Sequence, residues 1–334
     1  MSVVGKITTT FYRNKIKESS HDIKCTISSL NGETIYTTKN ENDLIYPRSS
    51  IKIFQAIPFV SSNAIKSYNL NQRQIALSCS SHCAEKFHVI ELENWLNKLG
   101  LKRNTLKCGI HNPLDKFSSE KLLLSGNKPN QIHNNCAGKH LAMLSSCKIN
   151  KFNFDNYVDT NHPHQIQIRK IFSKFSESKI FNFQYGVDGC SAPQYAFKIK
   201  ELLTALKNIL KSLEGNFDYN KEISLLINSI SKNPYFIGGS KNLDSNLIRM
   251  TKGEIFCKGG AEGIFLFTHI KKKVFGIFKV IDGNERALPS AVFELFKKFK
   301  ILNKNQQREF NTYYNPNLYN HAKLKIGEIK TQLN

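Results

Sequence analysis

The sequence predicts a mixed α/β chain in which helices surround an antiparallel sheet. An Asn31-Gly32 turn separates two β-rich runs, 24–30 and 33–38, and this pattern is a strong hairpin signal. Three apolar runs follow one another near the C-terminus, as strands of a meander would, at 255–258, 263–268 and 273–280. Long segments with helical periodicity lie between these two groups of strands.

Six segments are predicted to be helical: 49–63, 85–99, 134–147, 161–176, 193–213 and 289–299. The first begins just after Pro47, and Pro58 inside it is expected to kink or shorten the helix. No internal repeat and no low-complexity linker interrupts the chain. We therefore expect a single domain over residues 1–334.

The charge of the chain is strongly positive but dispersed. Its 48 Lys and Arg residues exceed its 26 Asp and Glu residues, for a net charge of +22, and only 271–273 and 297–300 contain small lysine clusters. A nucleic-acid interface would concentrate basic residues on one face among aromatic residues. The excess of Lys, Asn and Ile instead favours the codon bias of an AT-rich genome. A basic nucleic-acid-binding protein remains the alternative from another functional class.

The N-terminus and the cysteines indicate the cellular compartment of the protein. Met1–Thr8 contains no long apolar region typical of a secretory signal, and no run approaches the 18 apolar residues of a membrane span. The eight cysteines are then expected to be reduced thiols, metal ligands or packing residues rather than disulfides. We expect a cytoplasmic protein that neither binds nucleic acid nor associates with a membrane.

A serine and a lysine are three residues apart in Arg48-Ser49-Ser50-Ile51-Lys52. On a helix they share a face, and a neutral lysine amine can accept the proton of a serine hydroxyl. The plain alternative is a serine at a helix N-terminus and a surface lysine. Ser81 and Lys258-Gly259-Gly260 follow in an order that loosely matches the S-x-x-K, S-D-N and K-T-G elements of penicillin-recognising serine enzymes.

A second cluster combines thiols with an amine. Cys136 and Lys139 share a face of a predicted helix, and Cys190 lies in an Asp-Gly-Cys turn far along the chain. If folding brings the two sulfurs together, they form a soft site for zinc, with lysine as an uncommon third ligand. The alternative is that both cysteines are buried packing residues.

Seven motifs together resemble the Rhizobium etli-type L-asparaginases, also called class 3 or asparaginase II. In chain order they are Arg48-Ser49-x-x-Lys52, Ser81-His82, Cys108-Gly109-x-His111-x-Pro113, Asn135-Cys136-Ala137-Gly138-Lys139-His140, Asp188-Gly189-Cys190, Lys258-x-Gly260-Ala261-Glu262-Gly263 and Asp282-Gly283-x-x-Arg286-Ala287-x-Pro289. They extend from residue 48 to residue 289, so the resemblance covers most of the chain.

The resemblance implies a serine β-lactamase-like or glutaminase-like α/β fold, a homodimer, and hydrolysis of L-asparagine to L-aspartate and ammonia. It implies Ser49 as nucleophile with Lys52 as base, and Ser81 with Lys258 as a second serine–lysine tandem. Zinc ligands by the same resemblance are Cys136, Lys139 and Cys190, with a water molecule completing the site. Arg48, His140 and Asp188 are expected to bind or support the substrate.

Small departures from the family pattern occur. Ala84 precedes Glu85 where glycine is usual, Ala137 replaces a usual serine, and Ser191 replaces an expected glycine. A further family cysteine upstream of the Lys-Gly motif has no clear counterpart, since Arg249 and Met250 occupy that stretch. These departures affect substrate positioning rather than the reaction class. A glutaminase, a β-lactam-type serine hydrolase and an inactive metal-binding homologue remain rival functions on the same scaffold.

Overall fold

The structure is a computed structural model that describes residues 3–181 and 183–334. Met1 and Ser2, which belong to the N-terminus considered above, therefore lie outside the described residues. The chain divides into two compact units. The first unit comprises residues 1–50, 197–210 and 247–334, and the second comprises 51–196 and 211–246. One domain over 1–334 stays a prediction, because a compact unit and a family domain need not coincide.

The strands of the described residues are β1 (Val3–Val4), β2 (Ile7–Arg13), β3 (Ile16–Ser29), β4 (Thr34–Thr37), β5 (Leu44–Ile45), β6 (Tyr185–Val187), β7 (Pro193–Tyr195), β8 (Phe197–Lys198), β9 (Ile255–Gly260), β10 (Ile264–His269), β11 (Val274–Val280), β12 (Asn317–Tyr319) and β13 (Lys325–Leu333). The first unit holds a nine-stranded sheet in the order β12-β13-β2-β3-β11-β10-β9, with β4 beside β3 and β1 beside β4. All its pairs are antiparallel except β1 with β4. Two short pairs, β5–β8 and β6–β7, lie outside this sheet.

The α-helices are α1 (Lys52–Ser61), α2 (Ala64–Ser67), α3 (Gln72–Leu77), α4 (Lys86–Lys98), α5 (Lys116–Leu124), α6 (Ala137–Ile149), α7 (Pro163–Ser176), α8 (Ile199–Leu213), α9 (Asn220–Lys232), α10 (Leu243–Met250), α11 (Leu288–Lys298) and α12 (Lys304–Tyr313). The antiparallel sheet and the helices confirm the predicted mixed α/β class. Helices α1 to α7 and α9 lie in the second unit, whereas α11 and α12 lie in the first.

Most predicted elements are confirmed, with shifts of a few residues at their ends. Asn31-Gly32 joins β3 to β4, and β9, β10 and β11 form the predicted meander. The predicted helix 193–213 is wrong in its first part, where Pro193 pairs with Val187 in the β6–β7 hairpin and α8 begins only at Ile199. Pro193, Tyr195 and Phe197 are buried as strand residues, and periodicity over so short a run does not distinguish a strand from a helix.

Aromatic packing holds α11 against the sheet of the first unit. Phe267 of β10 and Phe278 of β11 both contact the ring of Phe296 in α11, with centroids 4.6 and 6.3 Å away. All three side chains are fully buried. Replacing one buried phenylalanine with alanine typically costs about 3–5 kcal/mol, so this cluster contributes substantially to the stability of the unit.

Helix α1 is the centre of the second unit and packs against α6, α7 and α9. Phe54 lies 5.0 Å from the ring of Phe175 in α7, and Phe59 lies 5.3 Å from that of Trp95 in α4. Every residue from Lys52 to Phe59 is buried, including the proline that the sequence predicts to disturb this helix. Because α1 is buried on all sides, its polar residues must find partners inside the protein.

Within the described residues, no helix combines the length and the apolar character needed to cross a bilayer.

Two buried histidines make stability depend on pH. Burial lowers the pKa of His88 to about 4 and that of His164 to about 3, both from an ordinary value of 6.5. The unfolded chain therefore binds more protons than the folded one between pH 6.5 and about 4. We expect the free energy of unfolding to have its highest value above pH 6.5. It should fall as the pH decreases through this window, by about 1–3 kcal/mol per histidine.

Urea unfolding at pH 7.5 and pH 5.0 measures this loss. His164→Phe should reduce the difference between the two pH values, because it removes one titrating ring, whereas His321→Gln changes an exposed histidine and should leave the difference unchanged. Equal pH dependence in all three proteins would contradict the assignment.

Candidate active site

Lys52 and Ser81 are brought together in the second unit. Lys52 is the first residue of α1, its side chain is 1% exposed, and its Nζ donates hydrogen bonds to Ser80 O and to Ser81 Oγ, the latter over 3.0 Å. Ser81 lies 29 residues along the chain in the loop that follows α3. The structure therefore joins two residues that the resemblance assigns to different serine–lysine tandems.

The loop that carries Ser81 is fixed by a neighbouring loop at residues 237–241. The backbone N–H of Ser81 donates to Ile237 O over 2.8 Å, and Ser80 Oγ donates to the same oxygen over 3.1 Å. Glu85 Oε1 accepts from Ser240 N and Ser240 Oγ at 2.9 and 2.8 Å. These bonds hold Ser81 in place from both sides of its loop. Apart from the position of Glu85 shortly after the Ser81-His82 motif, nothing in the sequence indicates this role.

Ser49 lies in the first unit, in the 3₁₀ turn Arg48–Ile51 that leads into α1. Arg48 has a φ of 49°, and Ser50 Oγ donates to Pro47 O, so the turn is tightly wound. The end of β9 packs against it: a Cβ on Gly260 would come within 3.0 Å of Pro47 O and Ser49 N. Only glycine lets this strand approach the Ser49 backbone so closely.

Lys258 lies on the same strand, two residues before Gly260. Its side chain is 2% exposed, and its Nζ donates to Gly259 O over 2.8 Å. The predicted Lys258-Gly259-Gly260 element thus lies beside the turn that carries Ser49, within one unit. Arg48, from the same turn, lines a cavity of about 350 Å³ together with Lys24, Glu262 and Lys279.

Cys136, Lys139 and Cys190 form one buried cluster in the second unit. Cys136 precedes the first residue of α6, Lys139 lies within its first turn, and Cys190 lies in the turn between β6 and β7. Lys139 Nζ donates to Cys190 Sγ over 2.9 Å, and the two sulfurs are themselves within hydrogen-bonding reach. Folding therefore brings the Asp-Gly-Cys turn to the start of α6, since Lys139 and Cys190, 51 positions apart, are in contact.

The electrostatics of this cluster favour a thiolate at Cys190. The Cys136 thiol donates to Cys190 and lowers its pKa well below the ordinary thiol value, with Lys139 and His140 acting in the same direction. The same hydrogen bond, together with burial, raises the pKa of Cys136. Burial acts to lower the pKa of Lys139, but the charges of Cys190, Cys136 and Asp188 outweigh it and raise that pKa. These shifts favour an ammonium at Lys139 beside a thiolate at Cys190.

These three donors fit a soft divalent cation such as zinc, because two sulfurs and an amine that already share protons could exchange those protons for a metal. Among the described residues, no group of three or more His, Cys, Asp or Glu side chains is arranged to hold a metal. The predicted ligand set of two cysteines and one lysine is not such a group, because lysine is not one of these four residue types. The zinc assignment stays a prediction.

His140 and Asp188 lie next to the cluster. His140 is fully buried, and its Nδ1 lies 2.5 Å from the hydroxyl of Tyr157. Burial lowers the pKa of His140, and the Cys190 sulfur opposes that shift. Asp188 is half-buried, and its Oδ2 lies 3.7 Å from Cys190 Sγ. No pattern in the sequence singles out Tyr157, because a lone tyrosine in a loop carries no periodic signal.

The motif Cys108-Gly109-x-His111 supports the start of α6. Asn134 Nδ2 donates to Cys108 O over 2.7 Å, and the backbone N–H of Asn135 donates to His111 Nε2 over 2.9 Å. The N–H of Cys136 in turn donates to Asn134 Oδ1 over 2.9 Å. The motif therefore fixes the position of Cys136, which explains why it accompanies the cluster.

Gly138 allows α6 to pack directly on the end of α3. A Cβ at this position would overlap Leu77 O, far inside any normal contact distance. Since Leu77 ends α3 just before Ser80 and Ser81, this close approach places the thiol cluster near the Ser81 loop. A protonated Lys52 would act against the net rise in the pKa of Cys136, which also indicates that the two side chains are near each other.

Gly138→Ala is expected to force α6 away from α3 and to lower the free energy of unfolding by about 1–3 kcal/mol, as overpacking does. The matched control is Gly189→Ala, beside Cys190, where a Cβ would meet no atom within 4 Å. Chemical denaturation of both variants measures the effect. Equal stability of the two proteins would show that α3 and α6 are not in tight contact.

The chain matches the L-asparaginase II family over residues 9–331. Among solved structures, it is similar to a crystal structure from Bacteroides dorei provisionally described as a beta-lactamase, with 12% identity, 88% of this chain and 93% of that chain covered, and a TM-score of 0.40. Such a score is too low to carry an argument, so the β-lactamase-like or glutaminase-like name for the fold stays a prediction. No curated protein is significantly similar in sequence. Since the family match covers nearly the whole chain, the protein belongs to the L-asparaginase II family of amidohydrolases.

Proposed function

We propose that the protein is an L-asparaginase of the Rhizobium etli type, which hydrolyses L-asparagine to L-aspartate and ammonia. The observation that carries this proposal is the hydrogen bond from the buried Lys52 amine to Ser81 Oγ in a chain of the L-asparaginase II family. The approach of β9 to the Ser49 turn supports it as well, because Gly260 of the Lys258-Gly259-Gly260 element lies against the backbone of this turn.

Ser49 is the proposed nucleophile and Lys52 the proposed base. The Ser49 oxygen attacks the side-chain amide carbon while Lys52 takes its proton, and a new C–O bond forms. The Lys52 side chain is buried, and this step requires its amine to be uncharged. Backbone N–H groups of the Ser49 turn would stabilise the developing oxyanion, which is the usual role of such donors in acyl transfer.

Ser81 and Lys258 act on the leaving group in this proposal. The C–N bond breaks as Ser81 passes its proton to the nitrogen and takes from Lys52 the proton that came from Ser49, so the product that leaves is ammonia. The resemblance pairs Ser81 with Lys258 as the second tandem, whereas the hydroxyl of Ser81 accepts a hydrogen bond from Lys52 and Lys258 Nζ donates to Gly259 O. Water then attacks the acyl-enzyme, its proton returns to the serine oxygen, and aspartate is released. The net reaction consumes one water molecule for each amide bond.

Cys136, Lys139 and Cys190 would hold zinc. When bound, the ion would supply a fixed positive charge that helps to orient the polar end of the substrate. Arg48 and Asp188 carry the charges that complement the carboxylate and ammonium groups of a free amino acid. His140 is fully buried and bonded to Tyr157, so we assign it a supporting role at the cluster rather than direct substrate contact.

The expected cytoplasmic location and the homodimer are likewise proposals, and they rest on the resemblance of the motifs. Neither nucleic acid nor a membrane is proposed as a partner.

Ammonia release from L-asparagine tests the reaction, with L-glutamine and a chromogenic β-lactam as comparison substrates. Ser49→Ala should lower turnover of asparagine on the order of 10³-fold or more, as loss of a nucleophile does. Ser50→Ala is the matched control, because the Ser50 hydroxyl is bonded to Pro47 O and should matter mainly for the turn. Near-normal turnover in Ser49→Ala would refute the proposed nucleophile, and a β-lactam as the best substrate would favour the rival hydrolase.

Zinc content tests the metal assignment independently of activity. Elemental analysis should find zinc in the purified wild-type protein and little in Cys136→Ala, because one of two thiolates is lost. Cys147→Ala removes another buried thiol from the same helix, near its C-terminal end and away from the cluster, and should retain the metal. Equal zinc in wild type and Cys136→Ala would reject the ligand set.

A further inference from the structure

The hydroxyl of Tyr157 is buried between a backbone donor and a histidine ring. It accepts a hydrogen bond from Lys107 N over 2.8 Å and lies 2.5 Å from His140 Nδ1. Gln165 Nε2 donates to the backbone oxygen of Tyr157 over 2.8 Å, so this residue is held at both its side chain and its main chain. The rings of Tyr157 and His140 meet edge to face, with centroids 5.5 Å apart. Satisfied buried contacts of this kind fix a side chain in one orientation.

The proton between Tyr157 and His140 is assigned by counting donors and acceptors. A backbone N–H donates only, so Lys107 N cannot receive the phenolic proton of Tyr157. Among the contacts of the described residues, His140 Nδ1 is the other partner of that hydroxyl, and it therefore accepts the proton. In a neutral imidazole one ring nitrogen accepts and the other carries the hydrogen. The hydrogen of His140 consequently lies on Nε2.

The Nε2 atom of His140 is buried beside the thiol cluster. Within the described part of the chain it has no partner at full hydrogen-bonding geometry, although it is near enough to the Cys190 sulfur for the two groups to interact. Its effect on the pKa of Cys190 has the same direction as the larger effects of Cys136 and Lys139. A buried N–H without an acceptor is costly, and the sulfur of Cys190 is the acceptor that this cluster offers.

We infer that Tyr157 is a positioning residue of the thiol cluster: its hydroxyl holds His140 in the tautomer with hydrogen on Nε2, and this N–H donates to the Cys190 sulfur. A metal-bound thiolate keeps lone pairs that can accept the same bond. Hydrogen bonds from outside a ligand set orient the ligands and tune metal affinity. The expected effect on zinc binding rests on the proposed function, whereas the tautomer does not.

Nitrogen-15 spectra of the purified full chain, labelled in its histidine rings, test the tautomer directly. At pH 8, above the ordinary histidine pKa of about 6.5, His140 should show a protonated Nε2 and an unprotonated Nδ1. Its signals are identified by their loss in His140→Gln. Tyr157→Phe removes the donor to Nδ1, so the ring of His140 should change to a mixture of tautomers or to the form with hydrogen on Nδ1.

Competition with a chromophoric zinc chelator measures the consequence. Tyr157→Phe should weaken zinc binding about 10–100-fold, as the loss of other outer hydrogen bonds does. Tyr36→Phe is the matched control, because Tyr36 is also buried and its hydroxyl has no hydrogen-bond partner among the residues that the structure describes. This control should change neither the spectrum of His140 nor the affinity for zinc.

Two results would overturn the inference. One is the reverse tautomer in the wild-type protein, which would leave the lone pair of Nε2 facing the cluster and make His140 a candidate direct ligand. The other is a folded Tyr157→Phe protein, shown by unchanged circular dichroism and thermal unfolding, with the wild-type tautomer and the wild-type affinity for zinc. The expected tautomers in a protein that binds no zinc would support the role of Tyr157 and reject the zinc site alone.

Discussion

The buried amine of Lys52 is the constraint on which the second unit depends. It lies at the start of a helix that is buried on all sides, where an amine without hydrogen-bond acceptors would be strongly destabilising. Ser80 O and Ser81 Oγ provide acceptors, so the loop after α3 must lie at the N-terminal end of α1. That loop is in turn fixed by Ile237 and by the bond between Glu85 and Ser240.

A second buried lysine in the same unit has partners of a different kind. Lys139 donates to the sulfur of Cys190 and is stabilised as a cation by a thiolate, whereas the acceptors of Lys52 named above are neutral oxygens. The two environments suit different chemistry. Carbonyl and hydroxyl acceptors bring no counter-charge to an amine, whereas thiolates prepare a site for a cation. The close contact of Gly138 with Leu77 holds these two environments near each other.

Local sequence signals predicted the elements that carry most of the site. The Asn31-Gly32 turn, the β9–β11 meander and the helices that contain Lys52 and Lys139 are all found where periodicity and turn residues indicate them. The short strands at 193–198 were not predictable, since an apolar run of this length fits a helix or a strand equally well. β8 pairs with β5, which is distant in sequence, whereas β7 pairs with the neighbouring β6.

The sequence by itself determined the family, the mixed α/β class and the residue types from which a serine–lysine site and a thiol cluster can be built. Only the tertiary structure decided which of these residues meet. It brought Lys52 to Ser81, Gly260 to Ser49 and Lys139 to Cys190, and it revealed Tyr157, Glu85 and Ser240 as their supports. The physical reason is that motif spacing reflects local backbone geometry, whereas these contacts join segments far apart in the chain and arise from packing and the need to satisfy buried polar groups.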